Sequence, residues 1–235
     1  MAQGSREENH TTAIYAAHQG NEVERRQAVE HIIATHWKPL YKYIRFRQNL
    51  SADEAQMLLA KYLEEFLKPA FFGRFDSHAA PLRNYLRKEL DRFAGHWKGE
   101  ASFHQSFPID YASAEREYQS EVRFPGLSAD EYFENEWVRN LFTVAVEELH
   151  ASLAAEGKSD HFALFLQSDL QDKTGADRAI LDEIAKRLGI PINDAMNTLA
   201  LTRLKFHHIM IDIVRSLTTT DAEFQQEMRK IFKGS

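Results

Sequence analysis

The sequence predicts an all-α protein made of two helical domains joined by an acidic linker. Three observations lead there. Apolar residues recur at three- and four-residue intervals along most of the chain, and no stretch alternates β-branched and polar residues as a half-buried strand would. The stretch ILDEIAKRLGIPINDAMNTLALTRLKF, Ile180 to Phe206, reads as two helices broken at Gly189-Ile190-Pro191. Charge also changes sign along the chain, from +5 over residues 37–98 to −8 over residues 99–150.

Taken in order, residues 1–10 read as a disordered lead and residues 11–98 as the first helical domain. Thr11 or Thr12 caps a short helix carrying Ile14, Tyr15 and Ala16. A second helix runs from about Glu22 to His36 with Ala28, Ile32 and Ile33 inward. The segment from Trp37 to Gln48 follows, with an apolar stripe of Trp37, Leu40, Tyr41 and Ile44; Lys38, Lys42, Arg45 and Arg47 face elsewhere. Ser51 with Glu54 three residues on forms a capping box. The helix it opens carries Ala55, Leu58, Leu59, Tyr62, Leu63, Phe66 and Leu67. That band is too broad for one buried face, so part of it is expected to be offered to a partner. Lys68-Pro69 ends the helix, and AFFGRFDSHAA reads as a loop.

Pro81 opens a further helix with Leu82, Leu86, Leu90, Phe93 and Trp97 on its core stripe. Arg83, Arg87, Lys88 and Arg92 lie largely off that stripe with Tyr85 among them. Cations for phosphates with rings for unstacked bases suit single-stranded or melting DNA. A solvated face with charge pairs such as Lys88 with Asp91 or Arg92 with Glu89 is the alternative reading. Residues 99–128, with Pro108, Pro125, Gly126 and no sustained period, read as an extended linker. The second domain, residues 129–235, opens on a helix carrying Trp137, Leu141, Phe142, Val146 and Leu149 that stops near Gly157. A short helix around His161 to Leu166, the two-helix stretch, and a final amphipathic helix from Asp221 to Phe232 complete it.

Within the two-helix stretch, Ile180, Leu181, Ile184, Ala185 and Leu188 mark one face of the first helix. Gly189 stands where positive φ costs least, Pro191 forbids continuation, and Asn193 is the expected N-cap of the second helix. Small Ala185 four residues before a turn glycine is the spacing of a helix-turn-helix; an αα-corner without a nucleic-acid role has the same spacing.

Other classes are disfavoured. There is no cysteine, hence neither a disulfide framework nor a thiolate metal site. No HExxH spacing accompanies the eleven histidines. Gly157-Lys158-Ser159 resembles the end of a phosphate loop, but Ser152 occupies the position of the first glycine and no strand precedes it. The reading is therefore a non-enzyme with no catalytic residue, metal or cofactor. No apolar run reaches membrane length and the first residues are polar, so a cytoplasmic location is expected. The net charge of −6 leaves local patches to make any DNA contact.

The order of blocks resembles the extracytoplasmic-function group of bacterial RNA polymerase sigma factors. TTAIYAAHQGNEVERRQAVEHIIATHWKPLYKYIR resembles the family's opening stretch, FDSHAAPLRNYLRKELDRFAGHW its following helix, and LGIPINDAMNTLALTRLKF its C-terminal helix-turn-helix. The resemblance implies a sigma-2-like bundle and a sigma-4-like domain. It also implies core RNA polymerase (β′ clamp helices and β-flap) and promoter DNA as partners, with an anti-sigma or other regulatory protein as a further one. It implies Leu58, Leu59, Lys61, Tyr62 and Glu65 as polymerase-facing. Arg83, Tyr85, Arg87, Lys88, Arg92 and Trp97 would meet the minus-ten element, and Asn193, Asp194, Met196, Asn197, Thr198 and Arg203 the minus-thirty-five element. The pattern departs from the family at Gln56 to Lys61, where an acidic run is usual, and at Met196 and Thr198, often basic. A helix-turn-helix regulator acting without polymerase, or an interaction protein that has lost sigma activity, are the alternatives.

Overall fold

The computed structural model describes residues 12–97, 106–121, 126–170 and 178–232. Every regular element among these residues is helical, which bears out the all-α class. The disordered lead expected at 1–10 lies outside the described residues, as do 99–105 and 122–125 of the expected linker. Contacts divide the chain into two compact units, Met1–Leu141 with Val214–Ser235, and Phe142–Ile213. The expected division at residue 129 is corrected by two elements that belong to the first unit, described below.

Helix α1 (Ala13–Gln19) starts at Thr12, whose hydroxyl accepts from the Tyr15 N–H at 3.3 Å. Helix α2 (Glu22–Gln48) opens on an Asn21/Glu24 capping box and closes at Asn49, which takes the left-handed conformation at φ 50°. The helix expected from Glu22 to His36 and the segment after it are one helix running through Pro39. Pro39 has no N–H for the carbonyl of Thr35, and Asn140 Nδ2 supplies the missing donor at 2.9 Å. Helix α3 (Ala52–Glu64) begins at the Ser51/Glu54 capping box read from the sequence. A 3-10 turn, Glu65–Leu67, leads to α4 (Pro69–Phe72), where a loop was expected; proline sits in its first turn, where no N–H is required. Helix α5 (Leu82–His96) follows Pro81.

Helix α6 (Tyr111–Glu121) lies inside the stretch expected to be an extended linker. Tyr111, Ala114 and Tyr118, spaced i, i+3 and i+7, are all buried, so the segment has an apolar stripe and uses it. Helix α7 (Ala129–Ala155) gives residues up to Leu141 to the first unit. The last helix, α11 (Asp221–Phe232), was expected in the second domain but buries Phe224 and Ile231 in the first unit. The core of that unit is Ile32, Leu40, Ile44, Leu59, Leu63, Phe66, Leu86, Leu90 and Phe133, each 0% exposed. Burial of each stabilises by about 1.5–3 kcal/mol.

The second unit holds the remainder of α7, α8 (Ser159–Phe165), a π-helical turn Leu166–Leu170, α9 (Arg178–Leu188) and most of α10 (Ile192–Ser216). Two of its helix stops, after α7 and after α9, are glycines in the left-handed region. At Gly157, φ 71°, the Lys158 N–H donates to Leu153 O at 2.8 Å; at Gly189, φ 68°, the Ile190 N–H donates to Ala185 O at 3.0 Å. This is the hydrogen-bond pattern that ends a helix through a residue free of a Cβ. Ala185 and Ala195 are buried on either side of the second turn, where their small side chains allow the helices to approach.

Candidate nucleic-acid interface

Helix α10 begins at Ile192, and the Pro191 carbonyl accepts its first helical bond from Ala195 N–H at 3.0 Å. Asn193 is therefore inside the first turn rather than the N-cap, and its side chain is left for other partners. Asn193, Asp194, Met196 and Asn197 are exposed, Met196 to 44%, while Thr198 is half-buried. Ala195 and Leu199 are the buried anchors of this turn. The result is a polar patch on the first two turns of a helix that follows a tight glycine turn. Arg203 is exposed too, but the Nε–Nη2 edge of its guanidinium is taken by Asp169 at 2.8 and 2.5 Å. Asp169 sits in the π-helical turn, and its bond raises the Arg203 pKa further. Arg203 thus faces solvent as a neutralised pair rather than as a free cation.

The six residues expected to face melted DNA separate into two groups. Arg83 is buried: its side chain is 5% exposed, its Nε donates to Glu134 at 2.8 Å, its Nη1 meets Glu227, and the guanidinium lies 4.5 Å above the Trp137 ring. Burial works against the Arg83 charge, and the bonds to Glu227 and Glu134 outweigh it. Arg87 pairs with Asp130 at 2.5 Å and lies over the rings of Tyr43 and Phe133. Tyr85 is half-buried, donates to the Phe71 carbonyl at 2.6 Å and packs on Phe71 and Phe75. Trp97 is half-buried at the end of α5. Only Lys88 and Arg92 are exposed, and Arg92 pairs with Glu89. The expectation of one open basic face is thus corrected: α5 is amphipathic, but Arg83 and Arg87 turn toward acids of α7 and α11.

Helix α3 is corrected in the same sense. Leu58, Leu59 and Tyr62 are 2%, 0% and 1% exposed, so they form core and not a docking face. Tyr62 donates to the Leu86 carbonyl at 2.7 Å and packs against Phe66, Phe71 and Phe93. The band is buried from Ala55 to Phe66, leaving Leu67 at 37% exposure, because α3 is covered from more than one side, by α2 and α5. Lys61 and Glu65 are half-exposed on the remaining face, Lys61 beside Glu64 at 3.5 Å and Glu65 beside Lys68 at 2.6 Å.

A further cluster was missed. On α2, Lys38 and Lys42 both reach Glu117, at 3.0 and 2.9 Å, and Arg45 holds Glu115 through Nη2 at 2.6 Å and Nε at 3.0 Å. Tyr41 donates to the same Glu115 at 2.6 Å. Lys42 is fully buried and also holds Glu136 at 2.7 Å. The signal in the sequence was the Tyr111, Ala114, Tyr118 period beside two acids.

No family model, no curated protein and no solved structure matches the chain. No helix among the described residues is long and apolar enough to cross a membrane.

Proposed function

We propose that the chain is a DNA-binding transcription factor of the sigma type. It would join core RNA polymerase and read duplex promoter DNA with the first turns of α10. One observation carries this reading: Asn193, Asp194, Met196 and Asn197 are exposed together on a helix that starts three residues after the left-handed Gly189. A recognition helix presents its N-terminal residues to base edges in the major groove in this way, and asparagine pairs with adenine there. The second support is the resemblance of the sequence blocks to sigma factors. Polymerase contact would use the polar face of α3 around Lys61 and Glu65, since the apolar face is interior.

The capture of Arg203, Arg83 and Arg87 by carboxylates favours weak binding by the chain alone, because these three guanidiniums are not free to release counterions from phosphate. Polymerase would supply the remaining affinity. The same observation supports a second reading, a helix-turn-helix regulator that binds duplex DNA without polymerase and melts nothing. The experiment is reconstitution of the purified chain with core RNA polymerase, followed by selection from a random duplex library. Comigration with core, and enrichment of a sequence lost with Asn197→Ala, is expected. Enrichment without core would favour the regulator, and no enrichment in either case would overturn both readings.

A further inference from the structure

Helix α6 covers a face of α2 whose composition differs from the rest of the first unit. Trp37, Lys38, Tyr41, Lys42 and Arg45 fall on one side of α2, the three cations about one helical turn apart, roughly 5 Å along the axis. Two rings beside a row of cations are what a single strand requires, rings to stack on bases and cations to meet phosphates. What lies on them is itself ordered in that way. Glu115 and Glu117 stand against the cations, and the rings of α6 stand against the rings of α2. Tyr111 meets Trp37 edge-on at 5.8 Å and Tyr41 at 5.5 Å, and the Arg45 guanidinium lies 4.8 Å over the Tyr118 ring.

We propose that the α2 face under α6 is a binding site for single-stranded nucleic acid, and that α6 occupies it as an intramolecular stand-in for the strand. Carboxylates take the places of phosphates and tyrosines the places of bases. Every contact that α6 makes here can be replaced in kind by a nucleotide: Lys38 and Arg45 exchange one oxyanion for another, and Trp37 exchanges Tyr111 for a base. Burial works to raise the Glu115 and Glu117 carboxyls, but hydrogen bonds, from Arg45, Tyr41 and Gln119 to Glu115 and from Lys42 and Lys38 to Glu117, hold both below the ordinary value. Both acids are thus anions at neutral pH, as phosphates are. The site is separate from α10 and stands whether or not α10 reads duplex DNA. It also places the strand on α2 rather than on α5, whose Arg83 and Arg87 are held by α7 and α11.

The test uses the full chain with a labelled oligothymidine probe. Glu115→Gln with Glu117→Gln is expected to tighten binding by about tenfold, the equivalent of one lost charge-assisted contact in the cover. Adding Lys38→Ala and Arg45→Ala should abolish the gain. Hydrogen exchange on the unaltered chain keeps the test independent of the variants' folding. Oligothymidine should speed amide exchange across α6 while leaving α11 unchanged. The proposal is overturned if the α6 amides keep their protection at saturating probe. It is equally overturned if inorganic polyphosphate, which carries no bases, displaces α6 as well as oligothymidine does.

Discussion

Asn140 donates to the Thr35 carbonyl at 2.9 Å the hydrogen bond that Pro39 cannot make, so one side chain of α7 keeps a 27-residue helix continuous through a proline. The same amide lies 3.3 Å from the Ala34 carbonyl. Asn140→Leu should destabilise the chain by about 1–3 kcal/mol, since it leaves a buried acceptor unpaired. Pro39→Ala restores an in-helix donor, so Asn140→Leu should cost less in that background. Denaturant melts of the four proteins check the cycle; additive costs would mean that the two residues are not linked.

Arg83 stands between Glu134 and Glu227: Glu227 is 4% exposed, whereas Glu134 is 20% exposed and also holds Lys230. Arg83→Met should cost about 3–5 kcal/mol by leaving the Glu227 carboxylate buried without its cation. A surface arginine in a DNA face would cost almost nothing in the free chain. Thermal unfolding without DNA separates the two, and an unchanged melting temperature would falsify the interior placement of Arg83.

Leu59, fully buried in α3, offers a parallel test of the apolar band. Leu59→Ala should lose about 2–5 kcal/mol of stability in the isolated chain. Lys61→Ala, on the half-exposed side of the same helix, should stay within about 0.5 kcal/mol. Were the band a docking face, the order would reverse in a partner-binding measurement and the melts would coincide.

His36 gives a pH dependence. Burial lowers its pKa from 6.5 to about 3, so the folded chain refuses a proton that the unfolded chain accepts. Stability should therefore fall as pH drops below about 6.5, by up to roughly 1.4 kcal/mol per pH unit, and the loss should level off near pH 3. His31, also lowered by burial, acts in the same direction. The carboxylates with depressed values, Glu115, Glu117 and Glu134, lose their stabilising effect only below the ordinary carboxylate range. His36→Gln should flatten the slope between about pH 6.5 and 5 by roughly one proton, read from denaturant midpoints across that window.

Local chemistry was legible in the sequence. The Ser51/Glu54 capping box, the stops at Gly157 and Gly189 and the final helix from Asp221 all depend on neighbours a few residues away, and sequence spacing records such neighbours directly. The pairings were not legible. Lys42 meets Glu136 and Arg83 meets Glu227 across distances that no spacing rule spans, so basic residues read as free were spoken for. The broad apolar band of α3 signalled burial on more than one side, and a partner was inferred where the chain itself provides the cover. The continuity of α2 through Pro39 was not legible because the donor that compensates for the proline lies on another helix. At α10, the exposure of Asn193, Asp194, Met196 and Asn197 followed from the turn, whereas the capture of Arg203 needed the π-helical turn that carries Asp169.

The first unit is discontinuous in sequence, and this has a consequence for its birth on the ribosome. Synthesis runs from the N-terminus at about 5–20 residues per second, and domains generally fold as they emerge. Glu227 cannot reach Arg83 until all of Phe142–Ile213 has been made. A nascent chain stalled within that stretch would hold Arg83 with Glu134 alone and leave the seat of Phe224 and Ile231 empty, a form for chaperones to shelter until α11 arrives.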